Sequence, residues 1–170
     1  DALQEGDVAL VSEAGMPGLA DPGFELIAAA QLQGVPIVPV PGPTALGAAL
    51  SASGLDVERF VFVGFLPRTS HARRELLAPL ADGPFAVVAY ESPHRLLGTL
   101  SDLADLFGER PMAAACELTK LYEGVQRGTA ADLLAHFQEH RPRGEFTLVV
   151  APPPSPQQVG EIEGELEGVP

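Results

Sequence analysis

The chain has 170 residues, of which 46% are hydrophobic and 6% aromatic, and it carries a formal net charge of −13. This length allows one domain, or two very small ones, with a real hydrophobic core. The surplus of acid argues against non-specific binding of nucleic acid by the whole surface, because the phosphates would be repelled. No segment approaches the roughly 18 apolar residues that cross a bilayer, and Cys116, the single cysteine, cannot form an internal disulfide. We therefore expect a cytoplasmic protein that does not bind membranes.

Two strand–loop–helix units open the chain. An apolar run at residues 8–12 predicts a buried strand, which the loop SEAGMPGLADPG follows. Asp21 is predicted to be the N-cap, and Pro22 the first residue, of the helix FELIAAAQLQ. A second strand, PIVPV, leads through the loop PGPT into the helix ALGAALSAS, which Thr44 is expected to cap. This order predicts a mostly parallel sheet, and two strands are so few that we expect a further segment before Asp1.

The pattern of apolar and charged residues changes after Asp56. The apolar runs RFVFVGFLP, FAVVAYE, MAAACEL and EFTLVVAP predict strands, and the stretches between them predict helices, including a charged one over residues 70–80. We accordingly predict that residues 1–56 are the C-terminal part of a first α/β domain. Residues 57–152 should form a second α/β domain with a mixed sheet. Residues 153–170 are acidic and are predicted to be a disordered tail.

The two glycine-rich loops of the first part are predicted to lie at neighbouring carboxyl ends of a parallel sheet, where open α/β sheets bind their ligands. Glycine lets backbone approach a ligand closely, and loop N–H groups hold polar atoms. For either loop alone, a tight turn with a helix cap is the alternative. Neither loop is a G-x-G-x-x-G fingerprint or a P-loop, so a nucleotide phosphate is not specifically implied.

Three further clusters carry polar chemistry. AYESPHRL places Glu91 and Arg95 where a strand becomes a helix, a position suited to acid–base chemistry or anion contact, although a capped helix start explains it equally well. CELTKLYEG holds Lys120 between acidic residues, either as an exposed ion-pair network or as a group that orients or deprotonates a hydroxyl. Arg73 and Arg74 belong to the densest basic cluster, which taken alone is a solvated helical turn. No zinc-ligand spacing and no G-x-S-x-G elbow is present.

The ordered series VALVSEAGMPGLADPG, VPVPGPTA, RFVFVGFLP, YESPHRL, CELTKLYE and GEFTLVV closely resembles the ribosomal RNA small subunit methyltransferase I family, the ribose 2′-O-methylating branch of the tetrapyrrole methylase superfamily. The resemblance implies two α/β domains with S-adenosylmethionine folded between them and no metal. It implies methylation of a cytidine ribose in small-subunit ribosomal RNA, by a protein that is usually a homodimer. A methylase of a tetrapyrrole or another small substrate is an alternative, as is an inactive fragment that acts only as a binding module.

Carried over to this chain, the resemblance implies three sets of site residues. The cofactor set comprises Ser12, Glu13, Ala14, Gly15, Met16, Pro17, Ala20, Asp21, Pro41, Gly42, Pro43, Thr44, Ala45, Leu66 and Glu117. The set expected to hold RNA phosphates comprises Arg68, Arg73, Arg74, His94 and Arg95. Lys120 and Glu91 are predicted to orient or deprotonate the attacking hydroxyl for in-line transfer.

Two departures from the family pattern accompany the resemblance. The family loop usually reads SDAGTP, whereas this chain has SEAGMP, with Glu13 in place of Asp and Met16 in place of Thr. Met16 removes a hydroxyl that could donate a hydrogen bond to the cofactor. The family pattern also includes roughly a further half of the first domain before Asp1, with a P-x-G-N-type loop and an arginine-rich segment.

Overall fold

The computed structural model describes residue 3 and residues 6–154. The chain divides into two compact units, Asp1–Ala48 and Ala49–Pro170, each of which is described by itself. The division lies inside a helix, N-terminal to the boundary predicted between residues 56 and 57. Most of the predicted acidic tail, residues 155–170, lies outside the described residues.

Among the residues from Gly6 onward that the structure describes, the first unit contains loops, the helix α1 (Phe24–Leu32) and the start of α2 (Ala45–Ser53). The Thr44 hydroxyl accepts a hydrogen bond from the backbone N–H of Gly47 at 3.0 Å, so the predicted cap of α2 is confirmed. The expectation for α1 is wrong by two residues, because its N-cap is Gly23 and no side chain caps it. Its first turn therefore leaves backbone N–H groups without side-chain partners.

The strands predicted at residues 8–12 and 36–40 are not formed. Both segments run without ladder partners in the described part of the chain, and Val11, Val38 and Val40 are each 80% exposed. A β-strand exists only where a neighbour accepts and donates its backbone hydrogen bonds and where one face is buried. The parallel sheet predicted for this unit is consequently absent from the residues that the structure describes.

The second unit contains a five-stranded mixed sheet, in the order β1-β2-β5-β3-β4. Its strands are β1 (Phe60–Phe65), β2 (Ala86–Glu91), β3 (Met112–Cys116), β4 (Gly124–Gly128) and β5 (Phe146–Val150). β1 and β2 are parallel, and the other three pairs are antiparallel. The predicted α/β fold with a mixed sheet is confirmed for this unit. The sequence GVQRG did not predict β4, because it has two glycines and only one β-branched residue.

Three helices and a short 3-10 turn connect these strands: α3 (Ser70–Leu77), the turn Ala78–Leu80, α4 (Leu96–Phe107) and α5 (Ala130–Glu139). Thr69 caps α3, and Thr129 forms a reciprocal capping box with Asp132 at the start of α5. The helices bury one apolar face against the central strands, and the core includes Leu77, Leu96, Leu100, Leu133 and Leu148. No helix in the described part of the chain is long and apolar enough to cross a membrane.

The strand register brings the ends of four strands together. Glu91, at the end of β2, pairs with Phe146 at the start of β5, and Phe146 also pairs with Cys116 at the end of β3. Because β1 runs parallel to β2, the residue after β1, Leu66, belongs to the same end of the sheet. The sheet thus places Leu66, Glu91 and Glu117 at the same end of its strands, although they are far apart in the sequence.

Candidate functional site

The two loops of the first unit that were predicted to bind the cofactor lie against each other. A Cβ built at Gly15 would lie 3.9 Å from the carbonyl oxygen of Pro43, and a Cβ built at Gly42 would lie 3.9 Å from the Cγ of Met16. Gly15 has a φ of 76°, in the left-handed region that favours glycine. Residues 12–17 and 41–45 therefore form one continuous surface on which backbone is accessible.

Ser12 shapes the first of these loops. Its hydroxyl donates to the carbonyl oxygen of Ala14 at 3.3 Å or to that of Gly15 at 3.4 Å. These contacts hold the loop in a turn, so the hydroxyl is used within the loop. Ala20, further along, has a φ of 55°, which is uncommon for a residue with a Cβ. Such a conformation costs energy and is concentrated at functional sites.

Asp21 does not cap α1, because two residues separate it from the first helical residue. Its Oδ2 atom is instead buried without a hydrogen-bond partner in the described structure. A buried carboxylate oxygen with no donor is costly. The position is therefore suited to a ligand that supplies a hydroxyl or an amino group, which agrees with its predicted place in the cofactor set.

Glu91 is completely buried at the end of β2. One oxygen accepts from the backbone N–H of Ser92 at 2.7 Å and pairs with Arg95 at 2.7 Å. The other oxygen accepts from the Thr99 hydroxyl at 2.7 Å. These three contacts anchor the turn that precedes α4, and the carboxylate is inaccessible to solvent, so a substrate hydroxyl does not reach it in this structure. The structure therefore speaks against Glu91 as the catalytic group.

Lys120 is exposed, and its ammonium lies 3.0 Å from Glu117 and 3.8 Å from Glu145. The hydrogen bond to Glu117 raises the pKa of Lys120 above its usual value. The pKa of Glu117 is lowered by a hydrogen bond from the backbone N–H of Glu145 and by Lys120. Lys120 is accordingly protonated near neutral pH, so it is able to orient a hydroxyl but not to deprotonate it.

The loop that carries Lys120 has strained backbone. Glu117 and Thr119 have φ values of 48° and 66°, both in the left-handed region. Gly144 faces the Glu117 side chain so closely that any Cβ there would collide with it. Strained residues of this kind persist only where the surroundings hold them, and they cluster at binding and catalytic sites.

The predicted RNA-binding cluster is largely neutralised inside the protein. Arg73 is only 4% exposed and donates to Asp102 on α4 at 2.7 Å. Arg74 donates to the other oxygen of Asp102 at 2.6 Å and also pairs with Asp105. Arg73 is thus a structural residue that joins α3 to α4, and the geometry does not support its predicted contact with RNA. The sequence did not predict this structural role, because the partner of Arg73 lies in α4, which follows later in the chain.

The remaining predicted residues of the second unit differ in accessibility. Arg68 and His94 are exposed, so their predicted roles stay predictions. Arg95 is half-buried between Glu91 and the carbonyl oxygen of Leu66, to which it donates at 2.9 Å. The Leu66 side chain belongs to the hydrophobic core, so its predicted cofactor contact is not available through the side chain.

A cavity of about 510 Å³ opens beside Glu117 at the same end of the sheet. The end of α5 and the loop that follows contribute four basic side chains to its lining: His136, His140, Arg141 and Arg143. None of them was predicted as a site residue. The sequence HFQEHRPR could have indicated this site, because two histidines and two arginines fall within eight residues. The histidine pair alone is typical of a helix surface.

The chain matches the family described as Tetrapyrrole (Corrin/Porphyrin) Methylases over residues 1–134. It is similar to a Ribosomal RNA small subunit methyltransferase I of Synechocystis sp., with 50% identity over 151 residues that cover 88% of this chain and 54% of that protein. It is also similar to a protein of the same name from Thermotoga maritima, with 42% identity over 150 residues that cover 88% of this chain and 67% of the relative.

Among solved structures, the chain resembles the uroporphyrin-III C-methyl transferase of Thermus thermophilus complexed with S-adenyl homocysteine. The TM-score is 0.55 at 21% identity, over 81% of this chain and 62% of the other. That likeness shows the same fold. The chain spans about half the length of the Synechocystis relative. The family match extends over most of the chain and confirms the resemblance seen in the sequence. The chain therefore belongs to the tetrapyrrole (corrin/porphyrin) methylase family.

Proposed function

We propose that the chain carries the site of an S-adenosylmethionine-dependent methyltransferase that modifies the 2′-hydroxyl of a cytidine ribose in small-subunit ribosomal RNA. The observation that carries the proposal is 50% identity over 151 residues to a relative named as a small-subunit ribosomal RNA methyltransferase. The cytidine and the ribose position come from the motifs YESPHRL and CELTKLYE, which resemble the 2′-O-methylating branch.

The first unit suits S-adenosylmethionine in three respects. The surface formed by residues 12–17 and 41–45 offers backbone groups, as a ligand without phosphates requires. The unpartnered Oδ2 of Asp21 is ready to accept from a ligand hydroxyl or amino group. A similar fold is known in complex with S-adenyl homocysteine. We propose that these residues hold the cofactor, whose sulfonium supplies an electrophilic methyl group.

Lys120 is proposed to position the ribose. Its ammonium, held by Glu117 at 3.0 Å, donates to the 2′-oxygen and fixes the oxygen for in-line attack. When the cofactor is bound, its methyl–sulfur bond would break as the C–O bond forms, S-adenosylhomocysteine would leave, and the hydroxyl would become acidic enough to lose its proton. Glu145, whose carboxylate lies 3.8 Å from the ammonium, is the acceptor available at that position. Positioning, rather than strong base catalysis, is thus the contribution of this cluster.

Calorimetry with S-adenosylmethionine tests the cofactor site. The chain should bind it, and Asp21→Ala should weaken binding by roughly 10- to 150-fold, the range expected for one lost hydrogen bond to a charged group. Glu25→Ala, which removes an exposed acid of α1, is the matched control and should bind normally. Normal binding by Asp21→Ala would remove Asp21 from the site.

Methyl transfer to purified small ribosomal subunits tests the substrate, with uroporphyrinogen as the competing acceptor. Transfer to the subunit alone supports the proposal. Transfer to the tetrapyrrole alone would contradict it and favour the alternative of a tetrapyrrole methylase. Cofactor binding without transfer to either acceptor would favour a binding module. Lys120→Ala should reduce kcat with little change in the Kd for S-adenosylmethionine, and Lys120→Arg should restore part of kcat.

We further propose that the protein acts in the cytoplasm, because its proposed substrate is ribosomal RNA. We also propose that it is a homodimer, as the resemblance implies. The unpaired apolar segments around Val11, Val38 and Val40 offer surface that association would cover. Light scattering coupled to gel filtration measures the mass directly. A monomer at all concentrations would contradict the dimer.

A further inference from the structure

The arginines of the second unit fall into two groups. Arg73, Arg74, Arg95, Arg110 and Arg127 all direct their guanidinium groups to carboxylates or carbonyl oxygens of the protein. The other four, Arg59, Arg68, Arg141 and Arg143, are exposed, and their guanidinium groups have no protein partner among the described residues. Of these four, Arg141 and Arg143 line the cavity at the end of α5. Cations that the fold does not neutralise are available to an external anion.

These two arginines line the cavity at the end of α5 together with flat aromatic side chains. The imidazole rings of His136 and His140 stack with centroids 4.5 Å apart and an interplanar angle of 20°. Beneath them, Phe137 packs edge-to-face on Phe146 at 5.3 Å. Flat π-surfaces beside guanidinium groups are what single-stranded nucleic acid requires, because bases stack on the former and phosphates pair with the latter.

The acids of the cavity lining do not form ion pairs with these two arginines in the described residues. Glu117 is engaged with Lys120 and with the backbone N–H of Glu145. Glu123 accepts a hydrogen bond from the backbone N–H of Thr119. Both carboxylates therefore hold the loop that carries Lys120, and both guanidinium groups stay unpaired and open to an external anion.

Tyr122 adds an unused stacking surface. It is 80% exposed at the tip of the loop between β3 and β4, and it lines the cavity. Leu121, its neighbour, is 87% exposed but is not part of the cavity lining. An exposed tyrosine has a large apolar face and a polar tip, the combination that favours stacking against a base in water.

We propose that this cavity binds one unstacked nucleotide of single-stranded RNA, with its base against Tyr122 and the histidine pair and the adjoining phosphates on Arg141 and Arg143. The cavity, at about 510 Å³, has room for a nucleotide. Lys120 is joined by its ion pair to Glu117 of the lining, so a bound ribose lies near the proposed positioning group. The proposal rests on the proposed function and names where its RNA substrate binds. It transfers the main RNA contact from the cluster around Arg73 to the end of α5.

The phosphate contacts are tested by fluorescence anisotropy with a labelled single-stranded oligocytidylate, titrated at several salt concentrations. Arg141→Ala and Arg143→Ala should each weaken binding and reduce the slope of log K against log salt by about 0.7, the value for one phosphate contact on a single strand. Arg59→Ala is the matched control, because it removes an exposed arginine that is not part of the lining. Its affinity and salt slope should equal those of the wild type.

The stacking contact is tested with Tyr122→Ala, which should weaken binding of the same RNA by roughly 5- to 100-fold, the loss expected for one base–aromatic stack. Leu121→Ala removes a comparably exposed side chain of the same loop and should leave the Kd unchanged. Ultraviolet cross-linking of the bound RNA should join it to Tyr122 or to the end of α5.

Three outcomes overturn this inference: no binding of the oligocytidylate, binding by the three site variants equal to that of the two control variants, or cross-links confined to the region of Arg68. Calorimetry with S-adenosylmethionine on the same preparations separates this failure from failure of the proposed function. A chain that binds the cofactor and methylates ribosomal subunits, but whose variants at Arg141, Arg143 and Tyr122 are normal, keeps its function and loses this site.

Discussion

The two units of the chain contain the same kind of apolar segment and treat it differently. In the second unit β5 is buried along its whole length. Val149 on β5 and Val88 on the neighbouring β2 are both inaccessible to solvent. In the first unit the runs at residues 8–12 and 36–40 stay extended and unpaired, with Val38 and Val40 mostly exposed. The difference shows that an apolar run becomes a strand only where neighbouring strands and a helix layer are present to bury it.

The same contrast applies to polar groups. The second unit satisfies its buried charges by internal pairs, such as Arg73 with Asp102 and Arg95 with Glu91. The first unit leaves the Oδ2 atom of Asp21 without a partner in the described structure. The second unit thus pairs its buried charges internally, whereas the first unit leaves one buried carboxylate oxygen that the proposed cofactor site would use. Four predictions test this division, beginning with the largest effect.

Asp102→Ala should lower the free energy of unfolding by about 4 kcal/mol, because it leaves the buried Arg73 without its counter-ion. Urea denaturation, followed by circular dichroism, measures the change. Asp105→Ala is the matched control: this acid lies on the same helix, pairs with Arg74 and is 60% exposed, so its loss should cost no more than about 1 kcal/mol. Equal losses for the two variants would contradict the assigned role of Arg73.

Leu148→Ala, at the centre of β5, should destabilise the second unit by about 3 kcal/mol through the cavity that it leaves. Val38→Ala, in the predicted but unformed strand of the first unit, should change stability by no more than about 0.5 kcal/mol. Both values come from urea denaturation. A large loss for Val38→Ala would show that this segment is buried in solution and would remove the contrast between the units.

Thr129→Ala should cost about 1 kcal/mol, since it removes the capping box at the start of α5. Ser101→Ala, at an exposed position inside α4, is the control and should be nearly neutral. Thr129→Ala also links stability to the proposed RNA site, because α5 carries His136 and His140. A thermal melt that shows no shift for Thr129→Ala would mean that packing alone holds this helix.

The pH dependence of stability should carry a smaller signature of Asp102. Burial acts to raise the pKa of this carboxyl, but hydrogen bonds from Ser70, Arg73 and Arg74 outweigh burial and hold the pKa below its usual value. A carboxyl whose pKa is depressed by folding contributes stability that is present above its unfolded pKa of about 3.9 and is lost as the pH falls through the folded pKa.

Unfolding free energies measured between neutral pH and the acid limit should therefore fall below about pH 4, and less steeply in Asp102→Asn than in the wild type. Asp105→Asn again serves as the control. Identical pH profiles for the wild type and Asp102→Asn would show that the carboxyl titrates alike in the folded and unfolded states.

Several features of this protein follow from local sequence. Gly15 is needed where backbone turns through the left-handed region, Thr44 is a helix cap, and both properties are readable because their causes lie within a few residues. The long apolar runs of the second unit likewise identified four of its five strands, and the stretches between them identified its three helices. The ordered motifs also identified the family, because each motif occupies a short continuous stretch of the chain.

Tertiary structure decided everything that depends on a distant partner. The arginines at positions 73 and 74 look solvated in sequence, but a carboxylate on α4 pairs with both. The weak segment GVQRG becomes β4 only because β3 supplies its hydrogen bonds. The open cations at Arg141 and Arg143 are visible only once the partners of the other arginines are known. Charge and apolarity are local properties of a residue, whereas burial, pairing and strand formation belong to the neighbours that the fold brings to it.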